Sequence, residues 1–375
     1  MTASVDVLIA GAGIIGAACA WELAKAGLRV AVVEENFPAC GATGASMGHI
    51  VVMDDSEAQF ALTHYSQTLW DELSPSFPQN MEYDRCGTIW VAADEEEFAE
   101  VQRKAAYYWE RGVRTEILDS GALREAEPQL RAPLAGGLLV RGDAVVYPPA
   151  AAAFFLKKAV EAGATLHSGR AVKNLARGMA QLADGTVMSA GKLINAMGRH
   201  AGAFTTGIAV KARKGHLVIT DRYPDLVRHQ LVELGYLKSA HSLTSDSVAF
   251  NLQPRRTGQI LIGSSRQYDV EHEGVEPVIL SRMLERAFAY MPALRGCSSI
   301  RVWTGFRPAT PDKLPLIGPS LEDPSLHLAA GHEGLGITTS LGTAKLICAH
   351  ITGTQAEIPK DPYLPTRQMI AEVHG

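Results

Sequence analysis

A chain of 375 residues that is 47% hydrophobic and 20% charged can bury enough core for about two domains and is too apolar to be disordered. A formal net charge of −5, with no block of Lys or Arg, argues against a nucleic-acid surface. Five scattered cysteines (Cys19, Cys40, Cys86, Cys297 and Cys348), with no CxxC pair, fit a reducing compartment and offer neither a disulfide framework nor metal-ligand spacing.

Taken in chain order, Val5–Ala10 is short, largely aliphatic and followed by glycine, which predicts a buried parallel strand. Residues Val7 to Ala20 mimic a signal peptide, but Asp6 precedes them, a basic flank is missing, and their glycines have another use. No apolar run reaches the roughly 18–20 residues of a spanning helix, so the expected location is cytoplasmic, with peripheral membrane contact left open. A helix is predicted over Ala17–Ala26, stopped by Gly27, and a second strand over Leu28–Val33. Ser56–Leu73 reads as a helix with a serine cap, Thr88–Ala92 as a strand, Asp94–Arg111 as a charged amphipathic helix and Arg114–Leu118 as a strand.

Pro148-Pro149 opens an apolar helix over Ala150–Ala162. Strands follow near Thr165–His167 and Ala171–Leu175, then a hairpin around Asp184-Gly185 and a strand over Lys192–Ala196. His216–Thr220, Val248–Leu252 and Gln259–Gly263 carry strand signals, and Val278–Tyr290 is a helix ended at Met291-Pro292. Residues 305–319 read as turns around one cation, Arg307, and a last helix covers Ala344–Ile351. The expected class is α/β with an α+β second domain. A Rossmann-type unit of residues 1–82, 145–207 and 300–375 is interrupted by a discontinuous mixed-sheet substrate unit of residues 83–144 and 208–299.

Gly11-Ala12-Gly13-Ile14-Ile15-Gly16 is a weak motif alone, but here it follows a strand and opens a helix, with Glu34 and Glu35 at the end of the next strand. Gly11 allows a tight turn, Gly13 lets backbone approach a pyrophosphate, Gly16 permits helix–strand contact, and Glu34 can accept ribose hydroxyls. An acid at that place disfavours a 2′-phosphate. Gly41–His49 is a loop of small and hydroxyl residues just beyond it, able to pass close to a pyrophosphate or a flavin ring. Gly331-His332-Glu333-Gly334-Leu335-Gly336-Ile337-Thr338 is a second Gly-rich helix start, suited to negative charge on the pyrimidine end of a reduced flavin.

These segments, with Asn195-Ala196-Met197-Gly198 and Gly305–Gly318, span nearly the whole chain. In that order they resemble the D-amino acid oxidase family of FAD flavoproteins, nearest its glycine oxidase and sarcosine oxidase branch. Met47–Asp55 and Gly142–Pro149 are similar to catalytic subunits of bacterial D-hydroxyproline dehydrogenases. The resemblance implies that Arg307 is the catalytic-site arginine that pairs with a substrate carboxylate, and that Ala45, Ser46, Met47 and Gly48 lie beside the flavin. It also implies that Val172 meets the adenine through its backbone and that residues 331–338 border the pyrimidine.

Where glycine oxidases carry arginine in the late motif this chain has Gly334, so Arg307 is expected to hold the carboxylate alone. No cysteine stands near Gly305, so FAD is expected to be non-covalent. His49 is either a substrate-lining residue or a satisfied structural histidine, His332 orders the flavin motif and His216 sits structurally at a strand start. Tyr147 and Tyr236 are candidates for the pocket, and Arg255-Arg256 reads as a solvated turn.

The implied reaction is hydride transfer from a D-amino acid to flavin N5, with D-hydroxyproline or D-proline as the expected substrate. The alternatives are a sarcosine- or glycine-type oxidase using oxygen and a flavin-binding subunit without catalysis. Companion electron-transfer subunits, a peripheral membrane acceptor and an oligomer are all compatible with the sequence. A metal or nucleic acid is not expected.

Overall fold

The structure is a computed structural model that describes residues 4–235 and 246–367. One sheet runs in the order Leu316–Pro319, Leu326–Ala330, Val187–Asn195, Val5–Ala10, Val30–Glu34 and Thr165–Ser168. Val5–Ala10 pairs in parallel with both neighbours. A central parallel strand needs cover on both faces, and the side chains alternate accordingly. Val7 and Ile9 join the core made with helices Ile14–Lys25, Pro148–Glu161 and Gly336–Thr352, whereas Leu8 and Ala10 join Leu175, Ala180 and Leu182 on the other side. The latter three come from strands Val172–Ala176 and Met179–Leu182, and Gly185, at φ 85°, lies in the predicted turn between Met179–Leu182 and Val187–Asn195.

A second, mostly antiparallel sheet runs in the order Ser299–Ala309, Lys211–Thr220, Ile260–Arg266, Ser247–Pro254, Gln230–Glu233, Thr88–Ala92, Gly136–Val140 and Thr115–Asp119. One face packs Ile89, Val91, Phe250 and Leu252 against helix Pro277–Tyr290. On the other, Trp90 and Leu138 meet Val101, Ala105 and Tyr108 of helix Glu95–Glu110. A short pair, His49–Ile50 with Ala144–Val145, lies outside both sheets.

The α/β architecture expected from the sequence is what the structure has, and the caps behave as read. Ser56 Oγ accepts from Gln59 N–H at 3.1 Å, and Asp94 from Glu97 N–H at 2.9 Å. Three readings change. The first helix begins at Ile14 and the last at Gly336, because glycines that looked like loop lie within tightly packed first turns. Residues 305–309 are strand, not turn, since Ser299–Ala309 is an edge strand, the one place in a sheet that tolerates Pro308. That strand belongs to the second sheet. The division of the chain between the two units stands as a proposal.

Candidate active site

The first βα turn is built for close backbone approach. Gly11 has φ 104°, and a Cβ there would stand 2.5 Å from the Ala196 carbonyl oxygen. A Cβ on Gly16 would stand 2.0 Å from the Gly11 oxygen, so only glycine allows this close approach. Ile14 N–H donates to Thr43 Oγ1 at 3.0 Å, but Gly13 gives no side-chain cap and the first turn holds no acid. Apart from Ile14 N–H, the positive end of this helix carries no side-chain cap that would compete with an anion, with Ala12, Ile15 and Gly16 beside it.

Glu34, at the end of the second strand, accepts from Ala12 N–H at 2.8 Å and Asn36 N–H at 3.0 Å. This fixes its carboxylate at the turn while leaving acceptor capacity for ribose hydroxyls. Glu35 is exposed and lies near His200. Arg170 N–H donates to the Glu34 carbonyl at 2.8 Å, which brings the start of strand Val172–Ala176 to the same corner. Gly198, at φ 56°, follows the strand whose end faces Gly11.

The loop 41–48 is held against the second sheet. Trp303 Nε1 donates to the Ala45 carbonyl at 3.2 Å, Gln253 Nε2 to the Met47 carbonyl at 2.9 Å, and Ser46 Oγ to the Thr43 carbonyl at 2.8 Å. Met47 packs on Leu217, Ile219 and Leu261. Gly48 takes φ 109°, and a Cβ there would meet the Val146 oxygen at 2.0 Å.

Arg307 rises from the same region. It is paired across the ladder with Arg213, and Gly305 with Gly215. Its guanidinium lies over Gly215, where an added Cβ would be 2.4 Å from Nη1, and Nη1 donates to the Ser265 carbonyl at 3.0 Å. Gly334, from the late Gly-rich segment, faces Arg307 Cδ and Nε. The structure thus brings Arg307, the loop 45–48 and residues 331–338 together. It also adds Arg213, Gly215 and Thr43, for which the only sequence signal was an arginine two residues before a glycine within a strand, and a hydroxyl in the small-residue loop.

His49 is half-buried next to this cluster, with its carbonyl accepting from Thr338 Oγ1 at 2.9 Å. Its Nε2 is buried without a hydrogen-bond partner among the described residues. Desolvation, helped by the charge of Arg307, holds its pKa down to about 3, so it is neutral at physiological pH. His332 is a structural residue: buried, also held to about 3 by desolvation, with Nε2 2.9 Å from Thr343 Oγ1. Thr338 ties the segment together, because its carbonyl accepts from Trp70 Nε1 at 3.0 Å. Gly331 takes φ 78°, and Gly336 and Ile337 open the helix behind Leu335.

Other readings are corrected. His216 is buried mid-strand rather than at a strand start, and its Nε2 accepts from Glu276 N–H at 3.0 Å, leaving Nδ1 to donate to Ser265 Oγ. Arg255 is not solvated. It pairs with Glu82 and lies 4.6 Å from the centroid of the surface-exposed Tyr147 ring. Tyr236 lies outside the described residues. No helix among the described residues is long and apolar enough to cross a membrane.

Residues 6–350 match the family model described as DAO, FAD dependent oxidoreductase. The chain belongs to this family. It is 28% identical over 422 residues to the hydrogen cyanide synthase subunit HcnC of Pseudomonas aeruginosa, covering 98% of this chain and 97% of that protein. It is 27% identical over 387 residues to the glycine oxidase of Geobacillus kaustophilus, covering 98% of each. The crystal structure of glycine oxidase from that organism superposes with a TM-score of 0.87 over 98% of this chain and 99% of the other. L-proline dehydrogenase from P. horikoshii, at 23% identity and 99% coverage of each chain, shares the fold with a TM-score of 0.88.

FAD, the family's cofactor, fits the residues present. The helix end would hold the pyrophosphate and Glu34 would accept a ribose hydroxyl, while the glycines at 11, 13 and 16 leave no side chain in the way.

Four buried or half-buried histidines give the fold an acid-sensitive character. His49 and His332 are held to about 3, and His327 and His350 to about 4, all chiefly by desolvation. An unfolded histidine takes up a proton near pH 6.5, whereas these stay neutral in the fold. Their contribution is present above about pH 6.5 and is lost as pH falls toward their folded values. Thermal unfolding should therefore move to lower temperature between pH 6.5 and pH 4.5, and His332→Gln should flatten that slope; a slope unchanged by the substitution would contradict the assignment.

Proposed function

We propose that this protein oxidises the carbon–nitrogen bond beside a carboxylate, converting a D-amino acid to its imino acid. The preferred substrate is a cyclic secondary amine such as D-hydroxyproline or D-proline. The placement of Arg307 carries the reading: a planar, permanently charged fork over Gly215 and against Gly334, beside the flavin-bordering segment. FAD, when bound, supplies a two-electron acceptor for the hydride leaving Cα. The chain's own contribution is placement. Arg307 fixes the carboxylate, and the Ala45–Gly48 loop and residues 331–338 set the other walls. When the amine arrives neutral, its lone pair forms the C=N bond as the hydride departs and no side-chain base is required.

His49 supports the hydroxylated substrate. Its neutral, unpartnered Nε2 is a buried group that a ring hydroxyl would satisfy. His49→Leu should then lower kcat/KM for D-hydroxyproline several-fold more than for D-proline, the effect of roughly 1 kcal/mol of hydrogen bonding. Equal losses on both substrates would remove His49 from substrate recognition.

A second reading, oxidation of glycine or sarcosine with oxygen as acceptor, is favoured by the similarity to glycine oxidase. A flavin-binding subunit without catalysis would have no use for Arg307 in this position. The name of the relative HcnC, a synthase subunit, is compatible with companion subunits as partners. The decisive experiment mixes the protein anaerobically with D-hydroxyproline, D-proline, L-proline, sarcosine, glycine and D-alanine. Bleaching of the flavin by the D-cyclic amines alone supports the first reading, and bleaching by glycine and sarcosine alone replaces it with the second. Rapid recolouring in air would mark an oxidase, slow recolouring a dehydrogenase.

A further inference from the structure

Arg307 does not stand alone on its sheet face. Arg213 is directly opposite it in the antiparallel ladder, and such cross-strand pairs share a face. Unlike Arg307, Arg213 is almost fully enclosed, its side chain 6% exposed. One Nη donates to the carboxylate of Glu333, 11% exposed, and the guanidinium lies 4.7 Å from the centroid of the Tyr268 ring. Its Nε is buried with no hydrogen-bond partner among the described residues. Glu333 immediately precedes Gly334, the residue that faces Arg307, and is held at φ 48°, a conformation that few side chains adopt. Two arginines thus share one face of the ladder, and the second already holds a carboxylate that belongs to the protein.

We infer that the Arg213–Glu333 pair is a specificity device that restricts the site to substrates with a single carboxylate. Resting on the proposal that Arg307 anchors the substrate carboxylate, the argument is one of charge. With Glu333 in place, a second substrate carboxylate near Arg213 would meet an equal negative charge in a poorly hydrated setting, which disfavours binding. With Glu333 removed, Arg213 keeps its charge, gains a free Nη and still presents its unpartnered Nε. Those donors form a second carboxylate site, and dicarboxylates become ligands.

The test uses the FAD-loaded protein and two non-reacting probes read by perturbation of the flavin absorbance, pyrrole-2-carboxylate and pyrrole-2,5-dicarboxylate. Wild type should prefer the monocarboxylate. Glu333→Gln should raise the relative affinity for the dicarboxylate at least tenfold, and an added Arg213→Gln should abolish that gain. Glu333→Gly provides a second route, because glycine is at ease at this φ, and should show the same gain. An unchanged affinity ratio in FAD-loaded variants overturns the inference. Loss of FAD from both single variants also overturns it, making the pair a clamp on the flavin segment. Arg307→Leu separates the two levels: if it leaves pyrrole-2-carboxylate binding intact, the anchoring role of Arg307 falls. If it abolishes that binding while the ratio ignores Glu333, only the present inference falls.

Discussion

Arg307→Leu is expected to leave a yellow, folded protein whose kcat/KM for its amino-acid substrate falls by roughly 10²- to 10³-fold. A charge-assisted bidentate pair in a site closed to water contributes about 3–4 kcal/mol, because removing the cation leaves the carboxylate desolvated and unpartnered. The flavin should remain, since Arg307 lies over Gly215 and bonds the Ser265 carbonyl, not the phosphate turn. Leucine also keeps an aliphatic stem in the edge strand, limiting the cost in stability. Arg307→Lys should recover only part of the loss, because an ammonium cannot reproduce the two parallel hydrogen bonds. The check is steady-state kinetics with the flavin content measured alongside; unchanged kinetics would place the carboxylate elsewhere.

Gly16→Ala should have the largest effect on the holoprotein. A Cβ at that position would stand 2.0 Å from the Gly11 oxygen, a collision with backbone that no rotamer can relieve. Strand and helix must separate, at a cost of about 1–3 kcal/mol of strain. The phosphate turn then moves, and weakened FAD binding removes a further stabilisation, about 4 kcal/mol where the free ligand stands near a thousand times its Kd. The expected result is a colourless protein melting well below wild type. Gly27→Ala is the control: it has φ 85° but no atom within 4 Å of the added Cβ, so it should lose about 1 kcal/mol and stay yellow. A yellow Gly16→Ala protein would contradict the role of the turn.

How much was legible in the sequence depended on whether the deciding interactions were local. The βαβ unit, the Ser56 and Asp94 caps and the Asp184-Gly185 hairpin are written in neighbouring residues, and the structure has them. Ser299–Ala309 misled because Gly305 and Pro308 look like turn formers. Gly305 is there because a Cβ would stand 2.5 Å from Ala45 Cβ, and Pro308 is allowed because the strand lies at an edge. Both reasons are tertiary. Gly336 and Gly342 hid the true start of the last helix, and Gly342 stands where an added Cβ would lie 2.3 Å from Ser66 Oγ. In the site, Arg307 could be found by its isolation among small residues. Arg213 could not, because its importance comes from a ladder register and from an ion pair 120 residues away in sequence.

The central claim is that Arg307 receives the substrate carboxylate beside the flavin. Its most direct test is a crystal structure of the FAD-loaded protein with pyrrole-2-carboxylate. The account predicts both carboxylate oxygens on the Arg307 guanidinium at about 2.7–2.9 Å, with the ring between it and the flavin. A ligand bound at the flavin with its carboxylate on any other group would contradict it.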